Sequence, residues 1–146
     1  MVLAVLFEDR MEISSTDSSK FERISRLRGK STAFDAEIVL DINSDLFPVT
    51  NQENLYICLS NDILQQKRSD LQHWDRSTQL PVLDDFDYCM FGKIFKMEEQ
   101  SSERRTVFAS FGGLMMALTA EKQVLADLEL DMRIYLLIKR VVALFS

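Results

Sequence analysis

The side chains best suited to chemistry are the acids of Asp84-Asp85-Phe86-Asp87 and the single histidine, His73. On a strand, Asp85 and Asp87 share one face and could hold Mg²⁺, which prefers oxygen ligands. The pair lacks a glycine-rich turn and further ligands, so solvated acids at the mouth of a strand explain it better. His73 has no second histidine or cysteine pair nearby, and a metal site there is not expected.

Nucleophilic catalysis needs a serine or cysteine beside a positioned base. The only histidine lies in Asn61 to Leu83, a polar stretch ending near Pro81 that we interpret as a long mobile loop. We therefore predict no catalytic residue, no metal, no cofactor and no small-molecule substrate. Two classes remain: a structural subunit of a larger assembly, or an independent nucleic-acid-binding barrel.

The overall composition is that of a single globular domain, 1–146. Apolar residues make up 47% of the chain and the net charge is -6, so the whole molecule is not built to coat nucleic acid or an anionic membrane. The apolar start, Met1 to Phe7, lacks a basic segment, and no signal peptide or membrane span is expected. Cys58 and Cys89 form no C-x-x-C and are predicted to be buried free thiols of an intracellular protein.

The clearest local structure is a hairpin at Gly112-Gly113, because apolar and polar residues alternate on both sides of the pair. Similar alternation predicts strands along most of the chain, separated by turns and with no sustained helical period. The predicted strands are Val2 to Ile13, Lys20 to Lys30, Ala33 to Ile42, Leu55 to Ser60, Asp85 to Glu98, the two arms of the Gly112-Gly113 hairpin, and Arg133 to Leu144.

These strands favour an all-β sandwich or barrel. A barrel of about eight antiparallel strands is preferred, since closure removes exposed strand edges. The run Ser14 to Ser19 is predicted to be a loop, and apolar residues on both faces of Asp85 to Glu98 indicate two-sided burial, or a twist or bulge at Gly92. The predicted core includes Phe34, Ile38, Leu40, Ile57, Phe111, Leu114, Leu136 and Ile138.

A basic cluster and an apolar surplus are the two candidate interaction features. The basic residues are Lys20, Arg23, Arg26, Arg28 and Lys30. They indicate either a solvated edge strand, with a bulge or two exposed faces, or weak phosphate binding. The apolar surplus is Phe91, Phe95, Met97 and Met115, on faces opposite the presumed core. It predicts docking on a larger partner, or packing under the loop from Asn61 to Leu83.

Several stretches resemble one family in matching order from Leu3 to Arg140. They are Leu6 to Asp9, Leu40 to Val49, Asp87 to Glu98, Ser110 to Met116 and Arg133 to Arg140. Together they resemble the RPABC3 family, the small subunit shared by the eukaryotic nuclear RNA polymerases I, II and III.

The resemblance implies an OB-type antiparallel barrel and a non-catalytic subunit in DNA-templated transcription. It implies docking mainly on the largest polymerase subunit, alongside other core subunits, and a nuclear location that includes the nucleolus. It also implies weak, sequence-independent binding of single-stranded DNA by a region that matches roughly Thr16 to Leu40.

Overall fold

A computed structural model of the protein describes residues 4–17, 23–31, 33, 35–62 and 85–141. Eight strands form within these residues, every pairing is antiparallel, and the sheet closes on itself as a barrel. The strands are β1 Ala4–Asp17, β2 Ile24–Lys30, β3 Glu37–Asn43, β4 Asn54–Asp62, β5 Tyr88–Glu99, β6 Arg104–Phe111, β7 Leu114–Glu121 and β8 Arg133–Arg140. Around the barrel they follow the order β1-β2-β3-β7-β6-β5-β8-β4, which returns to β1. The predicted closed antiparallel barrel is confirmed.

The barrel interior is filled by alternate residues of all eight strands, as period-two side-chain orientation requires. Of the predicted core residues, Leu114 is half-buried against the core, Phe34 lies outside the described residues, and the other six are buried. Asp9 is the acid that enters this interior from β1, on the face of Phe7 and Met11. The buried Asp9 carboxylate accepts a hydrogen bond from the Ser31 hydroxyl and another from the Arg10 amide at 2.7 Å. These hydrogen bonds satisfy the acceptor oxygens of the Asp9 carboxylate inside the barrel wall.

The Gly112-Gly113 hairpin connects β6 to β7 as predicted. Both glycines have positive φ, 65° and 100°, which side-chain-bearing residues rarely adopt. On the neighbouring strand, the Asp41 carboxylate accepts a hydrogen bond from the Met115 amide at 3.1 Å. The backbone pairing of β3 with β7 ends at Leu40 and Met116, one residue before Asp41 and Met115. The Asp41 side chain therefore links the two strands at the point where their backbones separate.

Three sequence predictions about the strands were wrong: two concern where a strand ends, and one concerns the position of a bulge. Ser14 to Asp17 belongs to β1 rather than to a loop, because these residues pair with β2 after a bulge between Ile13 and Ser15. Asn61 and Asp62 likewise belong to β4, whereas the rest of the predicted loop, with His73 and Trp74, lies outside the described residues. The β5 bulge falls between Ile94 and Lys96 and not at Gly92.

The basic strand is also not an edge. β2 is paired on both sides, and its register with β3 is regular from Ile24 to Lys30. Its faces alternate strictly, with Ser25, Leu27 and Gly29 turned inward and buried. The prediction of an edge strand exposed on both sides is therefore wrong, because barrel closure gives every strand two neighbours.

The two cysteines differ in their surroundings. Both are free thiols, Cys58 is fully buried, and Cys89 is exposed, so the prediction of two buried thiols holds for Cys58 alone. Cys58 lies on the outer side of β4, directly across from the buried Leu137 of β8. Burial, with the nearby charge of Glu8, raises the pKa of the Cys58 thiol to about 12.

Alkaline pH should destabilise the barrel in a window set by Cys58. In the unfolded chain the thiol ionises near pH 8.5, well below its pKa in the folded state. The contribution of the Cys58 thiol to the free energy of unfolding is therefore fully present below about pH 8.5. It falls as the pH rises towards the folded-state pKa, because only the unfolded state loses the proton in this range. Urea unfolding between pH 7.5 and about pH 10 should show a falling midpoint, and Cys58→Ala should reduce that fall, to which Cys89 also contributes because partial burial raises the pKa of its thiol. A wild-type midpoint that is constant over this range would contradict the prediction.

Candidate interaction surfaces

The exposed aromatic residues gather on the outer wall of β5, β6 and β8. Phe91 on β5 contacts Tyr135 on β8, with ring centroids 4.7 Å apart, and Phe95 contacts Phe108 on β6 at 6.3 Å. Phe91 is 51% exposed and Phe95 is 44% exposed. Isolated exposed apolar residues are common on protein surfaces, but here two aromatic pairs share the outer face of β5, one on each side of Lys93 along the strand.

The patch continues across β6, β7 and β3. Phe108, Ala117 and Val39 occupy directly opposed positions on these three strands. Because Ala117 is small, a hollow of about 230 Å³ opens here, lined also by Met115 and Arg26. We call the whole surface the outer apolar belt. It consists of Phe91, Tyr135, Phe95, Phe108, Met115, Ala117 and Val39, together with the cations Lys93 and Arg133 on the same face.

The belt contains three of the four residues that the sequence singled out as a subunit interface. Phe91, Phe95 and Met115 lie on the outer wall. Met97 instead packs against the barrel core, beside Val107 in the register, so its assignment to the outer face was wrong. The cause is the β5 bulge, because one additional residue reverses the facing of every side chain after it.

The belt also contains a pair of like charges. Lys93 of β5 and Arg133 of β8 are directly opposed, and both side chains are exposed. They lie next to the Phe91–Tyr135 pair in the register and on the same face. Lys93 has a long contact of 3.7 Å with the exposed Asp131. Like charges directly across two strands are destabilising, and Arg133 forms no ion pair with a carboxylate in the described part of the chain.

The predicted nucleic-acid residues lie mostly on the outer face of β2, where acids surround them. Arg26 binds Asp41 through two contacts, at 2.7 and 3.1 Å, and faces Asp17 of β1 on its other side. The hydrogen bond and charge of Asp41 raise the pKa of Arg26 above its ordinary value. Lys30 lies between Glu12 and Glu37 in the register, with a 3.9 Å contact to Glu37.

The remaining members of the basic cluster differ from one another. Arg23, just before β2, pairs with Asp45 at 3.2 Å, and Lys20 lies outside the described residues. Arg28 has Ser15 and Val39 as its cross-strand neighbours, and it forms no ion pair with any carboxylate in the described ranges. The structure thus brings Arg26, Arg28 and Lys30 onto one face, but acids balance two of the three.

The acidic cluster does not form a metal site among the described residues, where no group of three or more potential ligands comes together. Asp85 is exposed, and the Asp87 carboxylate accepts a hydrogen bond from the Arg140 amide at 2.7 Å. Asp84 lies outside the described residues. The same part of the chain contains no helix with the length and apolarity to cross a membrane.

Sequence reasoning missed six members of the belt, namely Tyr135, Phe108, Val39, Ala117, Lys93 and Arg133. Alternation along β6 and β8 assigns Phe108 and Tyr135 to the face opposite the core, so that signal was available in the sequence. The opposition of Lys93 and Arg133 depends on the pairing of β5 with β8, which lie far apart in sequence. The belt is suited to binding a partner, because it combines apolar contact area with two cations.

Comparison with known proteins identifies the family. The family model described as RNA polymerase Rpb8 matches residues 8–140, and the chain belongs to this family. A Dictyostelium discoideum protein named subunit rpabc3 of DNA-directed RNA polymerases I, II and III is 38% identical over 94% of this chain and 98% of its own length. The Saccharomyces cerevisiae subunit RPABC3 is 34% identical, over 92% and 97%. An Arabidopsis thaliana protein named subunit 8B of RNA polymerases II, IV and V is 24% identical, over 93% and 96%.

Proposed function

We propose that this protein is a non-catalytic structural subunit common to RNA polymerases I, II and III, and that it docks on the largest polymerase subunit through the outer apolar belt. The proposal is supported by family membership and by the names of relatives that match nearly the whole chain. It places the protein in the nucleus, including the nucleolus. Contacts with other core subunits and weak binding of single-stranded DNA form part of the same proposal.

The observation that carries the docking site is the exposed belt on a closed barrel. Among the described strands the barrel leaves little free edge, apart from the ends of β3 and β7 beyond Leu40 and Met116, so a partner has little room to add a strand. Docking should then use side chains of the outer wall. The belt provides the aromatic residues and methionine that are enriched at protein interfaces, and its exposure in the isolated chain would favour non-specific association.

Affinity purification of the tagged, full-length protein from its own cells tests this proposal. The largest subunits of polymerases I, II and III should co-purify, as quantified by mass spectrometry. The double variant Phe91→Ser/Phe95→Ser should recover at least tenfold less, because it removes the central apolar contacts. Leu46→Ser is the matched control, since Leu46 is 74% exposed but lies in the turn after β3. Recovery of the wild-type bait without any large polymerase subunit would refute the proposal.

Weak single-strand binding by Lys20, Arg23, Arg26, Arg28 and Lys30 stays a prediction. The acids beside Arg23, Arg26 and Lys30 reduce their attraction for phosphate, so Arg28 should dominate. We expect log K for labelled oligo-dT to fall with log[salt] with a slope of about -1. Arg28→Ala should remove most of this dependence, whereas Arg26→Ala should leave it unchanged. A slope of about -3 that both variants reduce would indicate that the whole cluster binds.

A further inference from the structure

The opposed cations of the belt are only partly balanced within the barrel. Lys93 and Arg133 occupy directly opposed positions on β5 and β8, beside the aromatic pair of Phe91 and Tyr135. Lys93 forms an exposed ion pair with Asp131 at 3.7 Å, whereas Arg133 forms none with a carboxylate of the described residues. Like charges in such positions repel, and the chain as a whole has a net charge of -6. Two exposed cations held together within an apolar surface of an acidic protein are therefore a feature that an anionic partner would stabilise.

We infer that the outer apolar belt binds an acidic, apolar segment of the polymerase subunit on which the protein docks, with a partner carboxylate received between Lys93 and Arg133. The inference rests on the proposed function and adds the chemistry of the partner. The cations of β5 and β8 provide the charge, the aromatic pairs lie beside them, and the hollow at Ala117 provides a place for an apolar side chain. Arginine and lysine donors suit a carboxylate, and partial burial by the segment would strengthen the interaction.

A protein segment fits this surface better than a single-stranded nucleic acid does. Bases stack on free aromatic faces, but the belt rings contact one another, with interplanar angles of 49° and 46°. The Lys96 ammonium also lies over the Phe108 ring, 5.3 Å from its centroid. The adjoining hollow is lined by Val39, Met115 and Ala117, which match side chains rather than bases.

Neutralising one cation gives opposite effects on folding and on docking. Arg133→Gln should leave the melting temperature of the isolated barrel unchanged or raise it, because it relieves repulsion with Lys93. The same variant should recover about tenfold less of the largest polymerase subunits, and Lys93→Gln should behave alike. Lys139→Gln is the matched control, since Lys139 is exposed on the same face of β8 but lies opposite Tyr56, outside the belt. It should not change recovery.

The outcomes separate this inference from the proposed function. A wild-type bait without polymerase subunits defeats both. If the Arg133→Gln and Lys93→Gln baits recover the polymerase subunits as well as the wild-type bait does, the inference is refuted but the proposed function stands. Photo-crosslinking of assembled polymerase from p-benzoylphenylalanine at position 115 identifies the occupant directly. A crosslinked peptide with Asp or Glu beside apolar residues supports the inference, whereas a peptide without acids, or a crosslink to nucleic acid, overturns it.

Discussion

Gly92→Ala is expected to lower the free energy of unfolding by about 3 kcal/mol. A Cβ atom at this position would lie 2.1 Å from the Ser110 carbonyl oxygen and 2.6 Å from Cδ1 of Phe111. The first of these atoms belongs to the β6 backbone, so β5 and β6 would have to separate. The conformation of Gly92 is not the cause, because it is not among the residues with positive φ.

Gly29→Ala is the control for the Gly92 experiment. Its Cβ would lie 3.1 Å from the end of the Ile13 side chain and 3.3 Å from the Glu12 carbonyl oxygen, so shifts of a few tenths of an ångström suffice, unlike the 2.1 Å approach at Gly92. We expect a change within about 1 kcal/mol, partly offset by the lower entropy of the unfolded alanine chain. Urea unfolding monitored by circular dichroism measures both variants. Equal stability of the Gly92 and Gly29 variants would show that the β5–β6 approach is not tight.

Arg140→Met should destabilise the protein by about 3 kcal/mol, which corresponds to a fall in Tm of about 10 °C at this chain length. The Arg140 guanidinium forms an ion pair with Glu53, donates a hydrogen bond to the Pro48 carbonyl oxygen at 2.6 Å, and lies 4.3 Å from the Phe47 ring centroid. Both charged side chains are half-buried, so the loss combines the Glu53 ion pair with the Pro48 hydrogen bond and the Phe47 contact, which Arg140 makes together.

Arg140→Lys distinguishes charge from geometry at this site. Lysine keeps the positive charge but lacks the planar fork that contacts Glu53, Pro48 and Phe47 together, so most of the loss should persist. Lys139→Met, at the adjacent exposed position, should change Tm by no more than about 2 °C. Thermal unfolding of the three variants tests this. Full stability of Arg140→Lys would mean that charge alone matters.

The network around Arg140 brings together separated motifs that resemble one family. Phe47 and Tyr88 stack at 5.2 Å, and the Tyr88 hydroxyl accepts a hydrogen bond from the Asn43 amide at 3.0 Å. The Asp87 carboxylate accepts one from the Arg140 amide. Residues from three of the resembling stretches thus meet at one end of the barrel. Their spacing in the sequence gives no sign of this, because the contacts depend on pairing of β8 with β4 and β5.

Local pattern determined much of the architecture. Alternation of side chains along β3, β7 and β8 predicted their core faces, because a half-buried strand places every second residue inside. The Gly112-Gly113 turn was likewise predicted from residue type, since positive φ favours glycine. These features depend on neighbours in the chain, and the sequence contains them directly.

Tertiary structure decided the features that depend on neighbouring strands. The β5 bulge moved Met97 from the outer face to the core, and pairing with β2 turned Ser14 to Asp17 from a predicted loop into strand. The basic cluster was visible in the sequence, but the acids that balance Arg26 and Lys30 come from β1 and β3. In the same way, only the β5–β8 register opposes Lys93 to Arg133. A register between distant strands is set by closure of the whole barrel, so no local pattern contains it.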